Sequence, residues 1–92
     1  MKTLYLFTRK DCPNCPAAEQ MIEECMQNKI CDTVVKIIDA DSISESLQFE
    51  LLENQFFIFA VPTIIVKENK QMKLISSGIL PNMADLEKVV GG

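Results

Sequence analysis

Residues 2–15 read Lys2-Thr3-Leu4-Tyr5-Leu6-Phe7-Thr8-Arg9-Lys10-Asp11-Cys12-Pro13-Asn14-Cys15. The apolar run from Leu4 to Phe7 is short, does not alternate and is bounded by polar residues, the pattern of a strand covered on both faces. From about residue 13 to 28 the period changes, because Cys15, Ala18, Ile22 and Cys25 recur three or four apart and share one helical face. Glu19, Glu23 and Gln27 populate another face of that helix. Pro16 is tolerated because it falls in the first turn, where backbone N–H groups have no intrahelical partner. Asn28 and Lys29 suit the helix end. Cys12 and Cys15 therefore sit where a strand hands over to a helix, a setting far more informative than their spacing alone.

Outward from this pair the chain continues in the same style. Residues 33–39, Thr-Val-Val-Lys-Ile-Ile-Asp, are rich in β-branched side chains and read as a second strand. Ser42 or Ser44 can cap a helix over roughly 44–54 that carries Ile43, Leu47, Leu51 and Leu52. Phe56 to Val61 is apolar without a clear period, and Pro62 interrupts it. Thr63 to Lys67 reads as a third strand and Met72 to Ser76 as a fourth, joined through the polar loop Glu68-Asn69-Lys70-Gln71 into a hairpin. Gly78 marks a turn. Pro81 fits the first position of a last helix, with Leu86, Val89 and Val90 facing inward and Gly91 as its stop. The order is βαβαββα. Its first half is a βαβ unit, which needs parallel strands and a right-handed crossover. The whole implies an α/β fold, a four-stranded mixed sheet with helices on both faces, and a single domain over residues 1–92.

Composition narrows the chemistry. The 92 residues are 48% hydrophobic and 24% charged, which excludes a disordered tail or a low-complexity linker. A chain this short buries only about 60–65% of the surface its unfolded form exposes, so the core is small. The formal net charge is −4 and no basic patch stands out, so no nucleic-acid partner is expected. There is no histidine, which removes a Ser-His-Asp or Cys-His hydrolase. No apolar stretch is long enough to span a membrane, and Arg9, Lys10 and Asp11 interrupt the first apolar run too early for a signal-peptide core. With Val90-Gly91-Gly92 at its end, no lipid anchor is expected. A cytoplasmic monomer is expected. All four cysteines, Cys12, Cys15, Cys25 and Cys31, fall in the first third; in a reducing compartment such residues are catalytic, metal-binding or simply buried.

A cysteine reacts as its thiolate, and a thiol of ordinary pKa, about 8.5, is mostly protonated at neutral pH. A helix N-terminus stabilises the thiolate through its unpaired N–H groups and partial positive charge. Arg9 and Lys10 add cationic charge near Cys12 while Asp11 opposes them. Cys15 lies one turn further in, close enough to bridge and more shielded. An exposed Cys12 would attack a substrate disulfide, and Cys15 would then displace the reduced substrate and leave an internal bridge. Pro13 stiffens the loop, and Asn14 keeps it polar without charge.

With Cys12-Pro13-Asn14-Cys15 after the first strand, Val61-Pro62-Thr63 before the third and Gly78 after the fourth, nearly the whole chain resembles the thioredoxin/glutaredoxin superfamily. It is similar to the family's minimal form, without the extra N-terminal strand and helix of full thioredoxins. The resemblance implies a cis Val61–Pro62 bond facing the dithiol. Pro62 has no N–H to donate, leaving Val61 backbone groups to pair with an extended substrate segment while Gly78 admits its backbone. It implies Cys12 as nucleophile, Cys15 as resolving thiol, and Pro13, Asn14, Val61, Pro62 and Gly78 as the substrate groove. Two subfamilies compete. Glutaredoxins commonly carry Cys-Pro-Tyr-Cys and a Gly-Gly or Gly-Cys followed by Asp that grips glutathione. Here the third motif residue is Asn14, and the turn Ser76-Ser77-Gly78-Ile79-Leu80-Pro81 is closer to that of thioredoxins. Thioredoxins carry Trp-Cys-Gly-Pro-Cys, whereas this chain has Asp11 in the tryptophan slot and no tryptophan. Leu6 stands where thioredoxins hold a buried acid, so proton transfer at Cys15 would use water or another group. The mixture resembles small archaeal and bacterial glutaredoxin-like thioredoxins. It implies a protein-disulfide reductase with disulfide-bearing protein substrates, no cofactor, and reduction by a thioredoxin-reductase-like enzyme or by glutathione.

Simpler readings stand beside these. A Cys-x-x-Cys pair can be half of a metal site, but zinc or iron–sulfur centres want four ligands in two close pairs or with histidines, and no metal is expected. A non-catalytic partner-binding module would use the same surface. Cys25 reads as a small buried hydrophobe and Cys31 as a loop residue, with a bridge between them as an alternative. Pro62 could be an ordinary strand-start proline. Phe56 to Phe59 reads as core, with an exposed ring that widens the partner groove as the alternative, Arg9 and Lys10 as solvated charges, and Glu19, Glu23 and Glu24 as a wet helix face.

Overall fold

A computed structural model describes residues 2–27 and 33–91. The expectations for Asn28, Lys29 and Cys31, including a Cys25–Cys31 bridge, lie outside the described residues, as does that for the side chain of Val90. The elements follow in the order β1 (Lys2–Thr8), α1 (Cys15–Gln27), β2 (Thr33–Asp39), α2 (Glu45–Glu53), β3 (Thr63–Glu68), β4 (Gln71–Ser77) and α3 (Met83–Gly91). They form a four-stranded mixed sheet in the order β2-β1-β3-β4. β1 runs parallel to β2, with Thr8 opposite Asp39, and antiparallel to β3, with Phe7 opposite Thr63. β3 and β4 are antiparallel, with an irregularity at Ile64/Ile65.

β1 is central because both of its faces are apolar. Leu4 and Leu6 pack with Ala18, Ile22 and Cys25 of α1, Ile64 of β3 and Leu86 of α3. Tyr5 and Phe7 turn the other way, onto Leu47 and Leu51 of α2 and Ile65 of β3. The strand period of two thus feeds both layers from one short run. Burying a side chain of the size of Leu or Phe contributes about 1.5–3 kcal/mol, so these two clusters supply the main stabilising term. The layout is that of a minimal thioredoxin-like βαβαββα fold, with α1 and α3 on one face and α2 on the other.

Element boundaries differ from the sequence reading in physically instructive ways. α1 begins at Cys15, not near residue 13: the Asn14 carbonyl accepts from the Ala18 N–H at 3.0 Å, and the Cys12 N–H turns back to the Arg9 carbonyl at 3.3 Å. Pro13 disfavours helical geometry at the residue before it, which keeps Cys12 in the preceding turn. Ser44, not Ser42, caps α2, its Oγ accepting from the Leu47 N–H at 3.4 Å. Only Leu47 and Leu51 of that helix are buried, and Leu52 points outward. The β3–β4 loop has two residues rather than four, because Glu68 pairs with Gln71 and Asn69 adopts φ 59°. Short hairpin turns need such a left-handed residue, and asparagine tolerates it. Pro81 is not the first residue of the last helix, since Asn82 caps it, with its Oδ1 accepting from the Ala84 N–H at 2.9 Å. Gly91 closes that helix instead of following it. Leu86 is buried, as its spacing implies, and Val89 is half-buried.

The largest correction concerns Phe56 to Phe59. Phe56 and Ile58 pack against the α2-side cluster, but Phe57 is 59% exposed and Phe59 80% exposed, with their ring centroids 5.9 Å apart. The segment is neither helix nor strand, yet its side chains alternate in and out, so a continuous apolar run supplies one half-buried and one exposed pair.

Candidate functional site

The site is built where the C-terminal ends of the parallel strands β1 and β2 meet the start of α1. Cys15 is the first residue of α1 and lies on its core face, 5% exposed. Cys12 precedes the helix and is half-buried. Their sulfurs are joined in a disulfide, with the Cα atoms 5.4 Å apart, inside the usual range for such a bridge. Pro13 and Asn14 are exposed between them. A helix start leaves four N–H groups without intrahelical partners. Pro16 has none to offer, so the donors near the dithiol are those of Asn14, Cys15 and Ala17.

Opposite the dithiol lies the segment entering β3. The Val61–Pro62 bond is cis. Pro62 is buried, its carbonyl accepts from the Gly78 N–H at 2.8 Å, and the Thr63 hydroxyl donates to the Ala60 carbonyl at 2.6 Å. These bonds fix residues 60–63 against the end of β4. Among the described residues no hydrogen bond uses the N–H or the carbonyl of Val61. Gly78 has φ +76°, and a Cβ there would sit 3.0 Å from the Ala60 Cβ.

Cys12, Pro13 and Val61 line one concavity of about 270 Å³, shared with Arg9, Lys10, Asp11 and Asp41. Asn14, Cys15, Pro62 and Gly78 do not line it: Asn14 accepts from Ala18 at the start of α1, and Pro62 and Gly78 are joined to each other. Asp41 is the residue that sequence reasoning missed. Its Oδ1 lies 3.2 Å from Arg9 Nε. Its own N–H donates to Asp39 Oδ1 at 2.9 Å, and the neighbouring Ala40 N–H donates to the Thr8 carbonyl at 2.8 Å. A usable signal existed: parallel strands deliver their following loops to the same edge of a sheet, so the acid after β2 must approach the loop after β1. Arg9 is accordingly an ion-pair partner and not merely a solvated charge.

Cys25 is 3% exposed within the core, as its spacing implies. Leu6 is fully buried. Among the described residues no three cysteine, aspartate or glutamate side chains are grouped to hold a metal ion. No helix among them is long and apolar enough to cross a membrane.

No family model matches the chain, and no curated protein matches its sequence. Among solved structures, one described as "Structure of a malarial protein" aligns with a TM-score of 0.69 at 19% identity, covering 97% of this chain and 92% of its own. At that identity the likeness is one of fold, reaching from end to end of both chains. It supports the arrangement of strands and helices alone, and the close cysteine pair at the head of α1 is, on its own geometry, compatible with a redox role.

Proposed function

We propose that the chain is a thiol–disulfide oxidoreductase that reduces protein disulfides through Cys12 and Cys15. The observation that carries this reading is the bonded Cys12–Cys15 pair at the head of α1, with Val61 of the cis Val61–Pro62 segment lining the same concavity. Cys12 is the more accessible sulfur and acts as the nucleophile; Cys15, at the first turn of α1, resolves. Pro13, Asn14, Val61, Pro62 and Gly78 frame the approach. The unpaired backbone groups of Val61 give an extended segment of a protein substrate something to bond to. Phe57 and Phe59, exposed on the strand-entry segment, offer apolar contact to a partner larger than glutathione. A cytoplasmic setting, with a reductase or glutathione upstream, would keep the pair reduced between turnovers.

The test is reduction of insulin with dithiothreitol as donor, run beside a glutathione-linked small disulfide. Insulin precipitation that depends on both cysteines is the expected result. Turnover of the glutathione adduct alone would assign the chain to glutaredoxin chemistry. Activity in neither assay would leave a partner-binding module. A Cys15→Ser variant should trap mixed disulfides through Cys12, and a Cys12→Ser variant should trap none.

A further inference from the structure

The charged residues that line the concavity at Cys12 come from two loops; Asp39, whose carboxylate accepts from the Asp41 N–H, is not among them. Arg9, Lys10 and Asp11 belong to the β1–α1 loop, and Asp41 to the β2–α2 loop. The other segments beside the dithiol, residues 55–62 and 76–82, contain no charged residue. The first turn of α1 contains no acid. The formal charge lining the concavity is therefore zero, two cations against two acids, and it is zero only because Asp41 is present. Asp41 is also not placed there by chance packing of an exposed tip. Its backbone is held by Asp39, its neighbour is bonded to the end of β1, and its carboxylate meets Arg9.

We propose that Asp41 is a specificity-determining residue, which by pairing with Arg9 keeps the concavity electrically neutral and fits it to disulfides with uncharged flanks. The proposal rests on the redox reading above and deepens it by naming the substrate class. Arg9 without Asp41 is a guanidinium beside a nucleophilic sulfur, and a guanidinium binds carboxylates well. Disulfides carrying carboxylates next to sulfur would then be drawn in preferentially. With Asp41 in place that advantage is cancelled, and discrimination falls to the backbone of Val61 and to apolar contacts.

The exchange itself balances without a further reactant. The Cys12 thiolate attacks one sulfur of the substrate, the substrate S–S bond breaks, and the departing sulfur carries away the electron pair and takes a proton from water. The Cys15 thiolate then attacks Cys12 Sγ. The Cys12–Cys15 bond forms and the second substrate sulfur leaves as a thiolate. The protein is oxidised by two electrons and the substrate is reduced to two thiols.

The experiment compares three alkyl disulfides on the reduced protein in a single turnover, and each variant's rates are referred to the wild type's on the same substrate so that intrinsic leaving-group differences cancel. They are bis(hydroxyethyl) disulfide, which is neutral, dithiodipropionate, which is anionic, and cystamine, which is cationic. Rates are read by alkylating the remaining thiols and weighing the protein by mass spectrometry. Ratios between substrates are the readout, because the same nucleophile attacks all three and its acidity cancels. Changing one charge at a distance of about 8 Å in water alters the encounter with each substrate charge roughly twofold, and salt screens it. Asp41→Asn is expected to raise the anionic-to-neutral ratio about two- to fivefold and lower the cationic one. Arg9→Gln is expected to do the reverse, and added salt should collapse both shifts. If Asp41→Asn does not fold, Arg9→Gln carries the test with the opposite sign. Identical ratios in all proteins, each exchanging normally, would overturn the inference while leaving the redox reading intact. A reduced wild-type protein that exchanges with none of the three would overturn the redox reading and, with it, the inference.

Discussion

Gly78 shows two constraints acting on one residue. Its φ of +76° lies where a side chain costs about 1–2 kcal/mol, and its missing Cβ makes room for Ala60. Gly78→Ala should therefore destabilise the fold by about 1–3 kcal/mol in urea unfolding. The two causes separate in a double-mutant cycle with Ala60→Gly. Removing the Ala60 methyl should recover part of the loss and not all of it, because the left-handed backbone cost remains. Full recovery would show that crowding alone fixes the glycine, and no coupling would show that the close approach is harmless. At this scale the bridging of Cys12 and Cys15, the cis bond before Pro62 and the turn at Gly78 were legible, since each is a residue type with a narrow physical use. Asp41 was not singled out, because an acid after a strand is ordinary until the loop that it faces is known.

Helix starts show what periodicity leaves undetermined. An apolar repeat identifies the buried face of a helix, but the first hydrogen bond is set by local chemistry outside the repeat. For α3, Pro81 looked like the natural opening residue, yet the Asn82 side chain takes the Ala84 N–H and its carbonyl takes those of Asp85 and Leu86. An asparagine in this position satisfies donors that no residue of the helix can. Asn82→Ala should cost about 1 kcal/mol, while Asn82→Asp should cost little, since aspartate caps equally well and its charge favours the helix start. Chemical denaturation of the two variants under the same redox conditions checks this, and equal losses would remove the capping role. For α1 the same principle has chemical consequences. Pro13 holds Cys12 outside the helix while Cys15 is its first residue, and the unequal exposure of the two sulfurs follows from that offset. The aromatic run before Pro62 was misread for a related reason. Without a regular element to set its period, hydrophobicity alone does not say which rings face solvent.

Across the whole molecule, the layering was legible because β1 is apolar on both faces and so must be covered twice. The βαβ unit and the hairpin gave the pairings of β1 with β2 and of β3 with β4, whereas the place of β3 beside β1 is read only from the structure. What the sequence does not contain is how the layers are tied at the rim, and there the Lys67–Glu50 ion pair joins β3 to α2. The hydrogen bond from Lys67 to Glu50 raises the lysine above its ordinary value of 10.5, with the charges of Glu50 and Tyr5 adding to it and burial opposing. A raised lysine stabilises the fold fully below its unfolded pKa and loses that contribution as pH climbs through the folded one. The partners are partly exposed, so the contribution is about 0.5–1 kcal/mol. Wild type and Lys67→Met should therefore differ by a constant amount from neutrality to about pH 9. The gap should close as the solution becomes more alkaline than the folded lysine tolerates, because the wild type then loses what the variant never had. Urea unfolding of the pair across that range reads the gap directly, and one that stays constant or widens above the lysine transition would mean that Lys67 acts through packing of its alkyl chain rather than through its charge.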